Sequence, residues 1–262
     1  MLETIAILIA FIGSVIAAIW DLFTTEVPDE VLALMAGAGI SIWFFYGVIT
    51  TDFAPLVNSV IFGTGILAIG WLMYKKGHWG GADACLFASI AYLIPFYSGT
   101  LFMPTYIFNF LLVGAIYMVI YALVLGIKNR WVFSYFVKDV RENSRLVLSL
   151  LCFVSLFVVF FTTTAGFNYL SLLLIGMVFF WRYGVVIEKH VFRRRVKTKD
   201  LRVGDVVENM IWRGITEREI KRLQKKRKYV VIKEGVRFIP AFPIALVLSL
   251  LYGNLMFLFF SL

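Results

Sequence analysis

The chain has 262 residues, 61% of them hydrophobic and 17% aromatic, with a mean hydropathy of +0.88 and a formal net charge of +9. Soluble domains keep their apolar share near one half, so this composition excludes an ordinary soluble domain and predicts a polytopic α-helical membrane protein. The two cysteines, Cys85 and Cys152, lie in apolar segments without C-x-x-C or Cys/His spacing, which argues against a zinc site or disulfide framework and predicts two buried free thiols.

A spanning helix needs about 20 mostly apolar residues. By that measure the candidates are 4–20, 31–49, 54–74, 83–97, 105–127, 146–162, 167–184 and 239–261. The fourth and sixth are short, so the expected count is about eight, with six to eight as its range. No basic region opens the chain and no cleavage-type sequence ends the first apolar stretch, which reads as a retained helix. The resulting division is a membrane domain over 1–187, a basic cytoplasmic insert over 188–238 and a final transmembrane helix over 239–262.

Charge fixes the expected orientation. With the N-terminus outside, Lys75, Lys76, Lys128, Arg130, Lys138, Arg141 and Arg145 face the cytoplasm, and the remaining basic residues follow between Arg182 and Arg237. The outer connections, around 50–53, 98–104 and 163–166, carry none of the 25 lysines and arginines. This is the partition that the positive-inside rule describes, and it predicts a multi-pass protein of the plasma membrane.

The first helix reaches the cytoplasm at Asp21, and the fourth leaves it at Asp83, so both carboxylates are expected at one depth. An ionisable group in a spanning segment costs about 2.5 to 3.5 kcal/mol on insertion scales and is a functional hypothesis by default. Gly13, Ser14, Ala17 and Ala18 on the first helix, with Ala84, Ala88 and Ala91 on the fourth, are small enough for close approach of the two. Between them, Pro28 suits a helix's first position, and Asp29 and Glu30 suit its N-terminal dipole. With Glu26 these acids form an acidic spot on an otherwise basic face, read either as capping in a solvated loop or as contacts for a basic ligand. Gly77, Gly80 and Gly81 are expected to turn the chain through φ angles other residues avoid. Asp83 itself suits an N-cap, the structural alternative to a catalytic role. His78 reads as a solvated loop histidine.

Residues 128–145 mix aromatic and basic side chains as an amphipathic helix at the inner leaflet does. In the insert, Val191–Val196, Val203–Val207 and Tyr229–Ile232 read as strands, Gly204-Asp205 as a turn, and Thr216 with Glu219 as a capping box opening a helix to about Lys228. A small α+β unit follows, whose run Lys225-Lys226-Arg227-Lys228 suits anionic lipid headgroups and not nucleic acid. The final helix opens at Ile239-Pro240-Ala241-Phe242-Pro243, where two prolines free backbone carbonyls at the depth of the aspartates.

Two carboxylates in a partly desolvated site do not both ionise easily, so one is a base while the other stays protonated. Such a pair activates water for attack on a peptide carbonyl without metal, cofactor or covalent intermediate. Paired membrane acids also suit a proton-coupled transporter or channel, although their place at an inner end and the lack of an internal repeat disfavour it. A scaffold presenting the insert would need neither acid.

Asp21 followed by Thr25, Val27 and Pro28 resembles the first motif of the type IV prepilin and archaeal preflagellin peptidases. Gly80-Gly81-Ala82-Asp83 resembles their second, the G-x-G-D motif that presenilin-like intramembrane aspartic proteases also carry. The resemblance covers roughly residues 1–98. It implies an aspartic endopeptidase that removes a short basic leader, a class III signal peptide, from archaellin or pilin-like precursors, with Asp21 and Asp83 as the catalytic dyad. Gly80 and Gly81 would shape the second motif's turn. Ala82 stands where that motif has its second glycine, and Cys85 where many relatives carry lysine. The bacterial enzymes' cysteine-rich zinc loop is lacking, which implies cleavage without N-methylation and points to the archaeal branch. Pro240-Ala241-Phe242 shares two of three residues with the presenilin P-A-L motif.

Overall fold

The computed structural model describes residues 1–77, 79–165, 168–208 and 214–255, with the side chains at 157, 158, 160–165 and 168–175 outside that description. In chain order the elements are α1 (Leu2–Thr24), α2 (Asp29–Thr50), α3 (Ala54–Lys75), α4 (Gly81–Leu93), β1 (Phe96–Tyr97), β2 (Thr100–Leu101), α5 (Phe102–Lys128), α6 (Trp131–Glu142), α7 (Ser144–Ala165), α8 (Asn168–His190), β3 (Arg193–Lys197), α9 (Glu217–Lys226), β4 (Tyr229–Lys233) and α10 (Ala241–Tyr252). Among the described residues, α1, α2, α3 and α5 are long and apolar enough to cross a membrane, and shorter apolar helices cover Gly81–Leu93, Ser144–Leu156 and Ala241–Tyr252. The chain divides into two compact units, 1–118 with 235–262 and 119–234.

In the first unit α4 is the buried centre, packed by α2 and α3 and touched by α1. It ends earlier than the expected 97, because Pro95 biases Ile94 away from the helical region; Ile94 takes φ −125° and ψ 74°. At about 1.5 Å per residue, its 13 residues are too few for a hydrocarbon core about 30 Å thick. The carbonyls freed at this end need partners inside the protein. Leu93 O accepts from Trp43 Nε1 at 3.0 Å and Tyr92 O from Ser59 Oγ at 2.6 Å, while Ser89 Oγ donates to Leu32 O at 2.9 Å.

Small residues admit α4: α1 touches it, as expected from sequence, and α2 and α3 add glycine notches of their own. A Cβ at Gly39 of α2 would lie 2.6 Å from the Tyr92 carbonyl carbon, and one at Gly70 of α3 would lie 2.6 Å from the Ala84 Cβ. Gly13 of α1 instead makes room for Met35 of α2. Thus Ala84 meets α3, and the Gly13 notch closes α1 onto α2. Pro28 is the N-cap of α2, one position before the expected first helical residue, with Asp29 and Glu30 in the first turn as expected.

The α10 helix stops at Gly253, φ 66°, where glycine carries the left-handed conformation without a steric penalty. Buried Asn109 of α5 ties this end down, donating to Ser249 Oγ at 2.9 Å and Gly253 O at 2.7 Å and accepting the Leu255 N–H at 3.0 Å. Residues 256–262, the end of the expected last span, lie outside the described residues.

In the second unit α6, α8 and the end of α5 close over Ala122, Val132, Val186 and Ile187. Arg182, counted among the cytoplasm-side charges although inside the expected span 167–184, lies within α8, 7% exposed, and donates through Nε to Asp139 Oδ2 of α6 at 2.9 Å. A buried cation survives in an apolar helix only when paired. Strands β3 and β4 pair antiparallel, Arg193 opposite Lys233 through Lys197 opposite Tyr229. The expected strand at Val203–Val207 reduces to a bridge from Val207 to Ile232, because Gly204 turns the backbone at φ 100°. Leu201, Val207, Ile215, Val230 and Ile232 form a small core beneath. The Thr216 N–H donates to Glu219 Oε2 at 2.8 Å, the expected capping box, and α9 ends at Lys226. Cys152 is exposed and Cys85 half-buried, so neither is the fully buried thiol that their apolar flanks suggest. A helix with no partner on one face exposes an apolar side chain as readily as a polar one.

Candidate active site

Three helix ends converge in the first unit: the last turn of α1, the first turn of α4 and the turn preceding α10. Asp21 is in the last turn of α1, 5% exposed. Beyond it the helix closes on Thr25, whose N–H donates to Asp21 O at 3.0 Å and whose φ of 60° turns the chain away. Val27 then packs against the core.

The Asp21 side chain is held from far along the chain. Its Oδ2 accepts the Ile239 N–H at 3.1 Å. The amides at the start of a helix have no intrahelical acceptor, and Pro240 is the N-cap of α10, which begins at Ala241. The Phe238–Phe242 turn is closed by Ala241 N–H to Phe238 O and Phe242 N–H to Ile239 O, both at 3.0 Å. The Ile239 N–H is therefore free to meet a carboxylate, and an acid at a helix N-terminus is favoured. The sequence pointed to carbonyls freed by the two prolines; the contact is made by an amide. The Arg237 side chain is near enough for its charge to act on Asp21.

Asp83 is held locally. It is the third residue of α4, half-buried, and its Oδ2 accepts the Gly80 N–H at 3.1 Å. Gly80 is the N-cap, so Asp83 caps the helix from inside its first turn and is not itself the N-cap residue. Gly80 has φ −71°, and of the motif's glycines only Gly77, φ 73°, needs the left-handed region. The requirement at Gly80 is room, since a Cβ there would lie 2.8 Å from Asp83 Oδ2. Gly81 opens α4, where an added Cβ would make ordinary contact with the Tyr74 ring at 3.7 Å. Ala82 packs half-buried against the core.

Asp21 and Asp83 lie close enough for their charges to act on one another. Neither forms a salt bridge among the described residues. Glu26, Asp29 and Glu30 are exposed, and Asp29 is near enough to Cys85, two residues beyond Asp83, for its charge to be felt there. His78 lies outside the described residues. Among those described, no three His, Cys, Asp or Glu side chains gather as metal ligands. A cavity of about 580 Å³ lined by Glu3, Trp43, Tyr46 and Asp52 opens where α1 begins and α2 ends, at the other end of those helices from Asp21 and Pro28.

Sequence reasoning missed Arg237 and the Ile239 amide. The signal for the amide was the helix start marked by Pro240, since N–H groups there have no intrahelical acceptor.

Residues 8–127 match the type IV leader peptidase family. Over 96 residues the chain is 24% identical to the prepilin peptidase EppA of Methanothermobacter thermautotrophicus, an alignment covering 37% of this chain and 25% of that protein. Over 136 residues it is 29% identical to a preflagellin peptidase of Methanococcus voltae, covering 48% of this chain and 58% of that protein. The chain thus spans from a quarter to somewhat over half the length of these curated relatives. The family match takes in both aspartates and stops before Ile239.

Proposed function

We propose, from the match of residues 8–127 to the type IV leader peptidase family, that the protein is a membrane aspartic endopeptidase cutting the short basic leader from archaellin or pilin-like precursors. The observation that carries this reading is the closeness of Asp21 and Asp83, each steadied through one oxygen by a backbone N–H and, among the described residues, neither spent on a salt bridge. Each carboxyl group keeps acceptor capacity for a water and a substrate.

One carboxylate takes a proton from water as its oxygen attacks the scissile carbonyl carbon. The other, protonated, donates a hydrogen bond to the carbonyl oxygen as it gains negative charge. Collapse of the tetrahedral adduct breaks the C–N bond, and the departing nitrogen takes a proton from the acid. The new carboxyl group stays on the leader and the new amine on the mature protein.

The distribution of Lys and Arg supports placing this chemistry and the basic segment 188–238 at the cytoplasmic face, with the N-terminus outside. Anionic headgroups then suit the exposed Lys225, Lys226 and Lys228. Glu26, Asp29 and Glu30 are proposed to attract the leader's positive charges.

The test uses the full chain in liposomes with a precursor bearing a class III signal peptide, and leader release is followed by mass. Asp21→Asn and Asp83→Asn should each abolish release while the protein stays inserted. Processing at the wild-type rate by either variant overturns the dyad.

A further inference from the structure

We propose that Tyr117 is a positioning residue for Asp21, acting through the backbone segment Arg237–Ile239. The proposal rests on Asp21 being catalytic. Tyr117 Oη donates to Arg237 O at 2.6 Å, and two residues further on the Ile239 N–H donates to Asp21 Oδ2 at 3.1 Å. Between these bonds Phe238 is wedged edge-on, its ring centroid 6.1 Å from Tyr117, 5.6 Å from Phe110 and 6.2 Å from Phe242. One turn before Tyr117, Gly114 leaves the notch that admits this ring, for a Cβ there would lie 2.8 Å from Phe238 Cζ. A hydroxyl and a missing side chain on one face of α5 therefore fix both ends of the peptide that presents the Ile239 amide.

The reason for bracing this amide lies in where it sits. Residues 234–240 have no helix or strand of their own, so the Phe238–Ile239 peptide that carries this N–H is held by the turn bond from Ala241 N–H to Phe238 O at 3.0 Å and by the side chains packed around it, and not by a ladder of regular structure. Asp21 is in the last turn of α1, and the Ile239 N–H fixes the direction of its Oδ2. A displacement of about 1 Å in a reacting group costs up to about a hundred-fold in rate, so a loosely held donor leaves the carboxylate wandering relative to Asp83. Such wandering lowers turnover without altering the exposed surface where a leader docks. A hydroxyl that merely stapled the chain together would instead lower stability and leave the turnover of folded molecules unchanged.

The experiment measures leader release by the full chain in liposomes, with kcat and KM resolved separately. Tyr117→Phe removes only the hydroxyl and should lower kcat about ten-fold with KM within about two-fold of wild type. Gly114→Ala, which pushes on Phe238 from the other side, should show the same split, and Ile239→Pro, which deletes the donor, should show it at equal or greater size. Wild-type kcat in folded Tyr117→Phe, or a change confined to KM, overturns the proposal. Should Tyr117→Phe fail to fold, wild-type kcat in Gly114→Ala or Ile239→Pro overturns it instead. Asp21→Asn separates the two readings: if it cleaves normally the catalytic assignment falls, whereas an inactive Asp21→Asn beside a fully active Tyr117→Phe removes the brace alone.

Discussion

The acids of the two units are managed in opposite ways. Asp139 in the second unit meets Arg182 through its guanidinium, with the side chains 19% and 9% exposed. Asp21 and Asp83 in the first unit meet no cation at salt-bridge distance among the described residues and are steadied by one backbone N–H each. A carboxylate locked to a buried guanidinium has its charge and lone pairs committed to holding two helices together. A carboxylate fixed through one oxygen by a neutral donor has an orientation and still has acceptors to offer. In an apolar chain the difference separates an acid used for structure from a pair available for chemistry.

Substitution by amide or alanine is the strongest way to break that contrast. Asp21→Asn retains an oxygen to accept the Ile239 N–H, and Asp83→Asn one for Gly80, so both variants should fold as wild type. Each loses the charge and the transferable proton, and leader release should fall by more than about a thousand-fold. Asp139→Ala should behave in the reverse sense. It leaves the Arg182 cation buried without its partner, at a cost of about 3 to 5 kcal/mol, read by denaturant unfolding in detergent, while kcat per folded molecule stays within about three-fold. If Asp139→Ala is as stable as wild type, or if Asp21→Asn unfolds, the division between structural and chemical acids is wrong.

A finer test concerns the glycines ahead of Asp83. Gly80→Ala places a methyl against Oδ2, and the flexible carboxylate can yield, so the change in stability should be under about 1 kcal/mol while kcat falls about ten-fold. Gly81→Ala meets only ordinary contact with Tyr74 and should lose less activity. Equal losses would show that the turn's backbone freedom, and not the space beside Oδ2, is what the motif preserves.

These outcomes bear on how far the sequence could be read. The Asp21 and Gly80–Asp83 motifs were legible because each is local, a charge next to helix punctuation in an apolar chain. The capping box at Thr216 and Glu219 was legible for the same reason. Pro95 was as visible as Pro240, yet hydropathy alone carried the expected span past it to 97. What pairs across the bundle was not legible. Small residues at helical spacing say that some neighbour comes close, and the meeting of Gly70 with Ala84 depends on packing that no single segment encodes. The Ile239–Asp21 bond links residues 218 positions apart through a main-chain atom, which has no residue-type signature. Arg182 fell inside the expected span 167–184, but its partner Asp139, 43 positions earlier, was not legible from either segment alone.

The smallest expected effect lies at the exposed acids. Glu26, Asp29 and Glu30 are solvent-facing, so each attracts a cationic leader through water, where salt screens charges beyond about 8 to 10 Å. Neutralising all three as Gln and Asn should raise KM about three-fold at low salt and leave kcat alone, since none is at the dyad. Raising ionic strength should do the same to the wild-type protein and nothing further to the variant. Asp29, whose charge reaches Cys85 two residues beyond Asp83, is the one to revert first in the triple variant. A KM unmoved by the triple substitution at low salt would leave these acids as helix-capping and loop residues, and the leader's charge would then have to be read elsewhere.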